Sequence, residues 1–167
     1  MNGVTGRMGT NQHLMRSIVA IIKQGGVKIS DSEYIMPDPV LVGRNEAKLK
    51  KLAEMAGVEK WTTDLDSVMN DQQYQVYFDA QTTGRRAEAV VQAAKAGKHV
   101  YCEKPMVQQI SEGAALVEAQ RKTGKVLQVG SQGMSSLGNE KAKELFESGA
   151  IGELNYVEGF WARNTPG

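Results

Sequence analysis

Residues 85–130 read RRAEAVVQAAKAGKHVYCEKPMVQQISEGAALVEAQRKTGKVLQVG, and the order of patterns in this stretch decides the architecture. From about Arg85 to Ala96 small and apolar residues recur at helical spacing, and Gly97 stops the run. His99–Glu103 is a short, mostly apolar strand. A second helix opens with Ser111 as its cap and closes at Gly124, and Val126–Gly130 is a second strand. A helix between two strands carries the chain back across the sheet, so that successive strands run parallel. Short strands without clean polar alternation are buried on both faces.

The same rhythm extends toward the N-terminus. Thr10–Gln24 carries Leu14, Met15, Ile18, Val19 and Ile22 on one helical face and ends at Gly25-Gly26. A polar stretch with Pro37 and Pro39 leads to a strand at Val40–Val42. Asn45 is the N-cap of a helix whose inner face is Leu49, Leu52, Ala53 and Ala56, closed by Gly57. A weaker strand-helix pair lies near Trp61–Met69, and Tyr74–Ala80 is a further strand. Beyond Gly130, Asn139–Ser148 reads as a helix closed by Gly149, and Leu154–Arg163 as a longer strand rich in large side chains.

These elements predict an α/β fold: a Rossmann-like, doubly wound parallel sheet, followed by the start of a second α/β domain. The expected division is residues 1–130 and residues 131–167. A glycine-rich loop normally follows the first strand of such a sheet, yet only Met1 and Asn2 precede Gly3. The expectation is that this strand is missing, that both ends are cut, and that the whole is about twice as long.

Twenty basic and nineteen acidic residues among 167 leave no basic stripe for nucleic acid and no acidic tail. The longest apolar run, Ile18–Ile22, is too short to span a bilayer and has no cleavage site of a signal peptide. The single cysteine, Cys102, makes neither an internal disulfide nor a cysteine-based metal site, and no His/Cys/Asp/Glu cluster has ligand spacing. The expectation is a cytoplasmic protein that uses no metal, nucleic acid or membrane.

Gly3-Val4-Thr5-Gly6-Arg7-Met8-Gly9 leads directly into the first helix. Small residues let the backbone approach a pyrophosphate, and a helix N-terminus supplies free N–H groups. The spacing departs from G-x-G-x-x-G, because Val4 stands at the first glycine's place; a mere tight turn is the alternative. Gly43-Arg44-Asn45 follows the Val40–Val42 strand, where an acidic side chain usually holds a ribose 2′-hydroxyl. Arg44 would instead pair with a 2′-phosphate, with Arg7 as a second positive group. The reading is NADP, with NAD kept open by Glu46.

Strand His99–Glu103 delivers Glu103, Lys104 and Pro105 to its C-terminal end, the edge where open parallel sheets bind ligands. A lysine there can serve as an acid or base toward a substrate oxygen, or be an ordinary strand-end lysine. Gly97-Lys98-His99-Val100-Tyr101-Cys102-Glu103-Lys104-Pro105 resembles the signature of the glucose-fructose oxidoreductase / inositol dehydrogenase / rhizopine catabolism (Gfo/Idh/MocA) family. Ser148-Gly149-Ala150-Ile151-Gly152-Glu153-Leu154 is similar to that family's link into its second domain.

The resemblance implies hydride transfer between NAD(P) and a hydroxyl or carbonyl carbon of a sugar or polyol. It implies Lys104 as the catalytic residue, with Glu103 and Pro105 on the nicotinamide side. It also implies contacts to cofactor from Ala80-Gln81-Thr82-Thr83, although Thr83-Gly84-Arg85 departs from the usual proline and histidine there. The family's further acid and histidine lie in its second domain and find no match here. His13, His99 and Cys102 are read as structural.

Gln132 is a possible cofactor contact beside Met134–Gly138, which reads as a connector. Phe160-Trp161 could line a sugar pocket or be core, and the resemblance implies instead an interface through which second domains pair subunits. Gly6-Arg7-Met8-Gly9 also resembles the nucleotide loop of dihydrodipicolinate reductases, which lack this Glu-Lys-Pro strand end. A nucleotide-binding module without catalysis, or an inactive truncated fragment, is the reading of a different class.

Overall fold

A computed structural model describes residues 1–160 and 162. The chain forms two compact units, Met1–Gly130 and Ser131–Gly167. In the first, helix α1 is wound as π turns over Gly9–Ile18 and as α-helix over Val19–Lys23. The Val19 N–H accordingly donates to the Leu14 carbonyl, five residues back. Gly25 and Gly26, at φ 91° and 97°, end it as expected.

A small antiparallel hairpin follows, β1 (Val27–Lys28) paired with β2 (Tyr34–Ile35), in the stretch read as merely polar. Then come β3 (Val40–Val42), α2 (Glu46–Ala56), β4 (Lys60–Thr62), α3 (Leu65–Asn70), β5 (Val76–Asp79) and α4 (Arg86–Lys95). The unit closes with β6 (His99–Glu103), α5 (Ile110–Thr123) and β7 (Leu127–Gly130).

The main sheet is parallel. β3 pairs with β4, and β5 with β6 and β6 with β7. The gap between β3 and β5 is filled by Met1 and Asn2, which hold the place of the first strand. Asn2 bridges Val42 on one side and Asp79 on the other. Four backbone bonds stitch it in, from Asn2 N to Phe78 O, Ala80 N to Asn2 O, Gly3 N to Val42 O and Val42 N to Met1 O. The strand order is therefore β4, β3, Met1–Asn2, β5, β6, β7, with the connection reversing direction between β3 and β5. That reversal point is where a doubly wound sheet opens a crevice at its carboxyl edge.

Two clusters of buried side chains cover the sheet. One gathers Val4, Leu14, Leu41, Leu49 and Leu52 under α1 and α2, and the other Val90, Val100, Cys102 and Leu116 under α4 and α5. Each fully buried Leu contributes roughly 2–3 kcal/mol of transfer free energy. Asn45 caps α2 by accepting from the Lys48 N–H, and Gly57 closes it at φ 66°.

Three expectations are corrected. The cap of α5 is Gln109, not Ser111: its side chain accepts from the Glu112 N–H while the Glu112 carboxylate accepts from the Gln109 N–H, so both orphan donors are satisfied together. The stretch read as a connector is helical. A 3₁₀ turn occupies Gln132–Ser135, and Ser136 caps helix α6 (Leu137–Glu147) two residues before the expected start. Leu154–Phe160 forms no strand, because no segment among the described residues offers it a hydrogen-bonding neighbour. The rest of that expected strand, including Trp161 and Arg163, lies outside the described residues or beside them. Among the described residues no helix is long and apolar enough to cross a membrane, and no group of His, Cys, Asp and Glu could hold a metal ion.

Candidate functional site

At the reversal point lies a cavity of about 230 Å³ lined by Asn2, Gly3, Thr5, Gly6, Gly43, Arg44, Ala80, Gln81, Thr82 and Arg85. It is built by three chain segments that leave the carboxyl ends of neighbouring strands. Gly3–Gly6 follows Met1–Asn2, Gly43-Arg44 follows β3, and Ala80–Thr82 follows β5.

The glycines divide by what a Cβ would meet. At Gly3, with φ +81°, it would fall 2.6 Å from the Gln81 nitrogen and 2.8 Å from the Ala80 carbonyl oxygen. At Gly9 it would fall 2.7 Å from the Gly3 oxygen and 2.8 Å from the Val4 Cα. Both glycines let backbone pack on backbone. Gly6 differs: its Cβ would meet nothing nearer than the Gly3 oxygen at 3.6 Å. The bare face of Gly6 opens on the cavity, which is the room a phosphate needs to reach the backbone. The bare loop backbone and the two arginines on the wall fit a phosphate-bearing group such as the adenosine half of a dinucleotide.

Of the residues singled out in the sequence, the structure brings Gly3, Thr5, Gly6, Arg44 and Thr82 into this one cavity. Arg7 and Met8 are exposed on the first turn of the helix and do not line it, Gly9 is buried beneath the loop, and Asn45 is engaged as the α2 cap. Thr83 begins the 3₁₀ turn Thr83–Arg85 that precedes α4. Gln132, in the second unit, is exposed at the start of its own 3₁₀ turn. Arg85 was missed as a site residue and is a second cation on the cavity wall.

Glu103, Lys104 and Pro105 stand at the end of β6, one strand beyond β5. Two strand spacings, about 10 Å, separate that position from the glycine loop. Lys104 is exposed, and its N–H donates to the Glu103 Oε2 at 3.0 Å. The Lys104–Pro105 peptide is cis. Glu103 is buried, with its Oε1 2.8 Å from His13 Nε2. His13 also packs tilted on Phe78 at 5.0 Å, and Phe78 stacks on Tyr101 at 4.5 Å. His99 accepts the Val126 N–H through Nδ1, tying β6 to β7.

Behind the cavity runs a buried polar network that the sequence did not reveal. Arg86 and Asp79 are 2% and 0% exposed, and Arg86 Nε donates to Asp79 Oδ2 at 2.7 Å. Arg86 Nη2 donates to the Gln81 carbonyl at 2.7 Å, and Nη1 donates to the Pro105 carbonyl. Asp79 Oδ1 also accepts from the Gln81 amide at 2.9 Å and from the Tyr77 hydroxyl at 3.3 Å. Tyr77 in turn accepts from the Asn2 amide at 2.9 Å. Burial, reinforced by the charge of Asp79, raises the Tyr77 phenol above its ordinary range. Burial also pushes the Cys102 thiol up to about 11, which keeps it a protonated, inert core residue.

A sequence profile of the oxidoreductase family with an NAD-binding Rossmann fold matches residues 39–131. The D-xylose dehydrogenase of Paenarthrobacter nicotinovorans is 40% identical over 159 residues, which cover 95% of this chain and 41% of that protein. The scyllo-inositol 2-dehydrogenase (NAD(+)) of Bacillus subtilis (strain 168) is 28% identical over 115 residues, 69% of this chain and 34% of that protein. Among solved structures, levoglucosan dehydrogenase in complex with NADH and levoglucosan superposes with a TM-score of 0.77 at 27% identity. That match covers 90% of this chain and 39% of the other. The chain thus spans between a third and about two fifths of the length of these relatives.

Proposed function

The chain belongs to the Gfo/Idh/MocA family of oxidoreductases, and from that premise we propose that it supplies the cofactor half of a dehydrogenase acting on a sugar or polyol. The cofactor, when bound, accepts or donates hydride at its nicotinamide. The observation that carries the reading is the meeting of Gly6's bare backbone and Arg44 in one cavity at the sheet's reversal point.

In this reading the pyrophosphate lies on the Gly3–Gly9 loop. Arg44 takes the 2′-phosphate of NADP, with Arg85 rather than Arg7 as the second cation on the cavity wall. Thr82 and Thr83 flank the cofactor as it leaves the cavity. Glu103, Lys104 and Pro105 lie on the nicotinamide side. Lys104 is the catalytic residue and moves a proton at the substrate hydroxyl while hydride passes. The names of the relatives support a sugar or cyclic polyol as substrate. We further propose that residues 131–167 begin a second domain, with Gln132 a cofactor contact, through which copies associate in the cytoplasm.

NAD is the second reading, supported by relatives whose names specify NAD(+) or NADH. Calorimetric titration of the chain with NADP+ and NAD+ separates the two. Tighter binding of NADP+, lost about 10- to 100-fold in Arg44→Ala, is expected from one or two charge-assisted hydrogen bonds. An NADP+ affinity unchanged by Arg44→Ala overturns the preference. For Lys104, turnover of NADP+ with D-xylose, myo-inositol and related polyols should fall in Lys104→Ala; unchanged turnover removes its role.

A further inference from the structure

Neutralising Asp79 needs only one of the bonds that Arg86 makes. Two further donors are spent on main-chain carbonyls, and both carbonyls belong to loops of the site. Gln81 lies in the loop that lines the cavity, and Pro105 follows Lys104 directly. Asp79 extends the same connection through Tyr77 to Asn2, one residue before the glycine loop. One guanidinium therefore joins the three segments that, in the proposed reading, hold the cofactor and the catalytic lysine. A lysine at position 86 would still face Asp79 with a charge, but it has no planar fork to span two carbonyls at once.

We infer that Arg86 is a positioning residue: it holds the Glu103–Pro105 segment in register with the cofactor cavity through the Gln81 and Pro105 carbonyls. The inference rests on the reading that Lys104 stands beside the nicotinamide.

The test uses the chain with its lysines reductively ¹³C-methylated, the Lys104 signal being assigned by its loss in Lys104→Arg. The ligands are NADP+ and adenosine 2′,5′-bisphosphate, which carries only the adenosine half. Arg86→Lys is compared with wild type, alongside the pair Asp79→Asn with Arg86→Gln. That pair removes both charges and leaves none uncompensated should the single variant fold poorly. In wild type, NADP+ should shift the Lys104 signal and the bisphosphate should not. In the variants the bisphosphate should bind within about twofold of wild type, while the NADP+-induced shift disappears and NADP+ affinity falls about tenfold.

A variant that keeps both the Lys104 shift and full NADP+ affinity overturns the inference. So does a loss of bisphosphate binding and of NADP+ binding in equal proportion, which would mean that Arg86 only holds the fold. A wild-type Lys104 signal blind to NADP+, with the bisphosphate bound, would remove the reading beneath the inference instead.

Discussion

Arg44 and Arg86 serve the same edge of one sheet under opposite conditions. Arg44 ends β3 in an exposed turn on the cavity wall. Arg86, at the start of α4, is sealed from solvent against Asp79 and two carbonyls. An exposed guanidinium contributes little to folding and keeps its charge for a ligand. A buried one has already spent its donors on the protein, and its removal strands a carboxylate in a medium that cannot solvate it. In the proposed reading the outer wall recognises the cofactor and the inner clamp holds the loops, and the two should separate when mutated.

The largest effect belongs to the clamp. Arg86→Ala should destabilise the chain by about 3–5 kcal/mol, because Asp79 is left buried and unpaired. Urea denaturation measures it, and a loss below about 1 kcal/mol would erase the distinction between the two arginines. Next come the glycines. Gly3→Ala should lose roughly 1–3 kcal/mol of stability, since its φ of +81° and the Gln81 backbone both refuse a Cβ. Gly6→Ala should fold within about 0.5 kcal/mol of wild type yet bind dinucleotide more weakly. Equal stability losses at both glycines would show that Gly6 also serves packing. Asn45→Ala should cost about 1 kcal/mol through the lost α2 cap, and should leave cofactor affinity unchanged if Asn45 serves the helix alone.

Near neutral pH the last effect vanishes: it is a dependence on alkaline pH that leaves the outer wall untouched. Burial holds the Cys102 proton on up to about pH 11 in the fold, against an ordinary thiol value of 9.0. Between those values the unfolded chain binds fewer protons than the native one, so stability should fall as pH rises through this window. Native Cys102 should resist a thiol reagent at pH 8 and react once the chain is unfolded in urea. Rapid labelling of the native chain would contradict its burial.

The outer wall was legible in the sequence and the inner clamp was not. Strand β6 was read with its observed bounds because Gly97 and Pro105 punctuate it, and α2 because Asn45 and Gly57 cap an unbroken apolar face. Gly3, Gly6 and Arg44 carry local signals: spacing before a helix and charge after a strand. The Asp79–Arg86 pair has none, since it joins a strand end to a helix start and depends on both being buried. Ser111 has a stronger intrinsic capping preference than Gln109, while the Glu112 partner that decides the matter acts through geometry. Strands of two residues, as in β1 and β2, are too short to show alternation. Leu154–Phe160 has the composition of a strand, but composition cannot supply a neighbour.

In the proposed reading the cavity at the sheet's reversal point holds the adenosine half of a nicotinamide dinucleotide, with Lys104 beyond it. Amide chemical-shift mapping of the ¹⁵N-labelled chain during NADP+ titration tests it most directly. The perturbed residues should cluster at Gly3–Gly9, Gly43-Arg44 and Ala80–Thr82 and then continue to Glu103-Lys104. No perturbation at saturating cofactor, or a cluster centred on the β1–β2 hairpin, would contradict it.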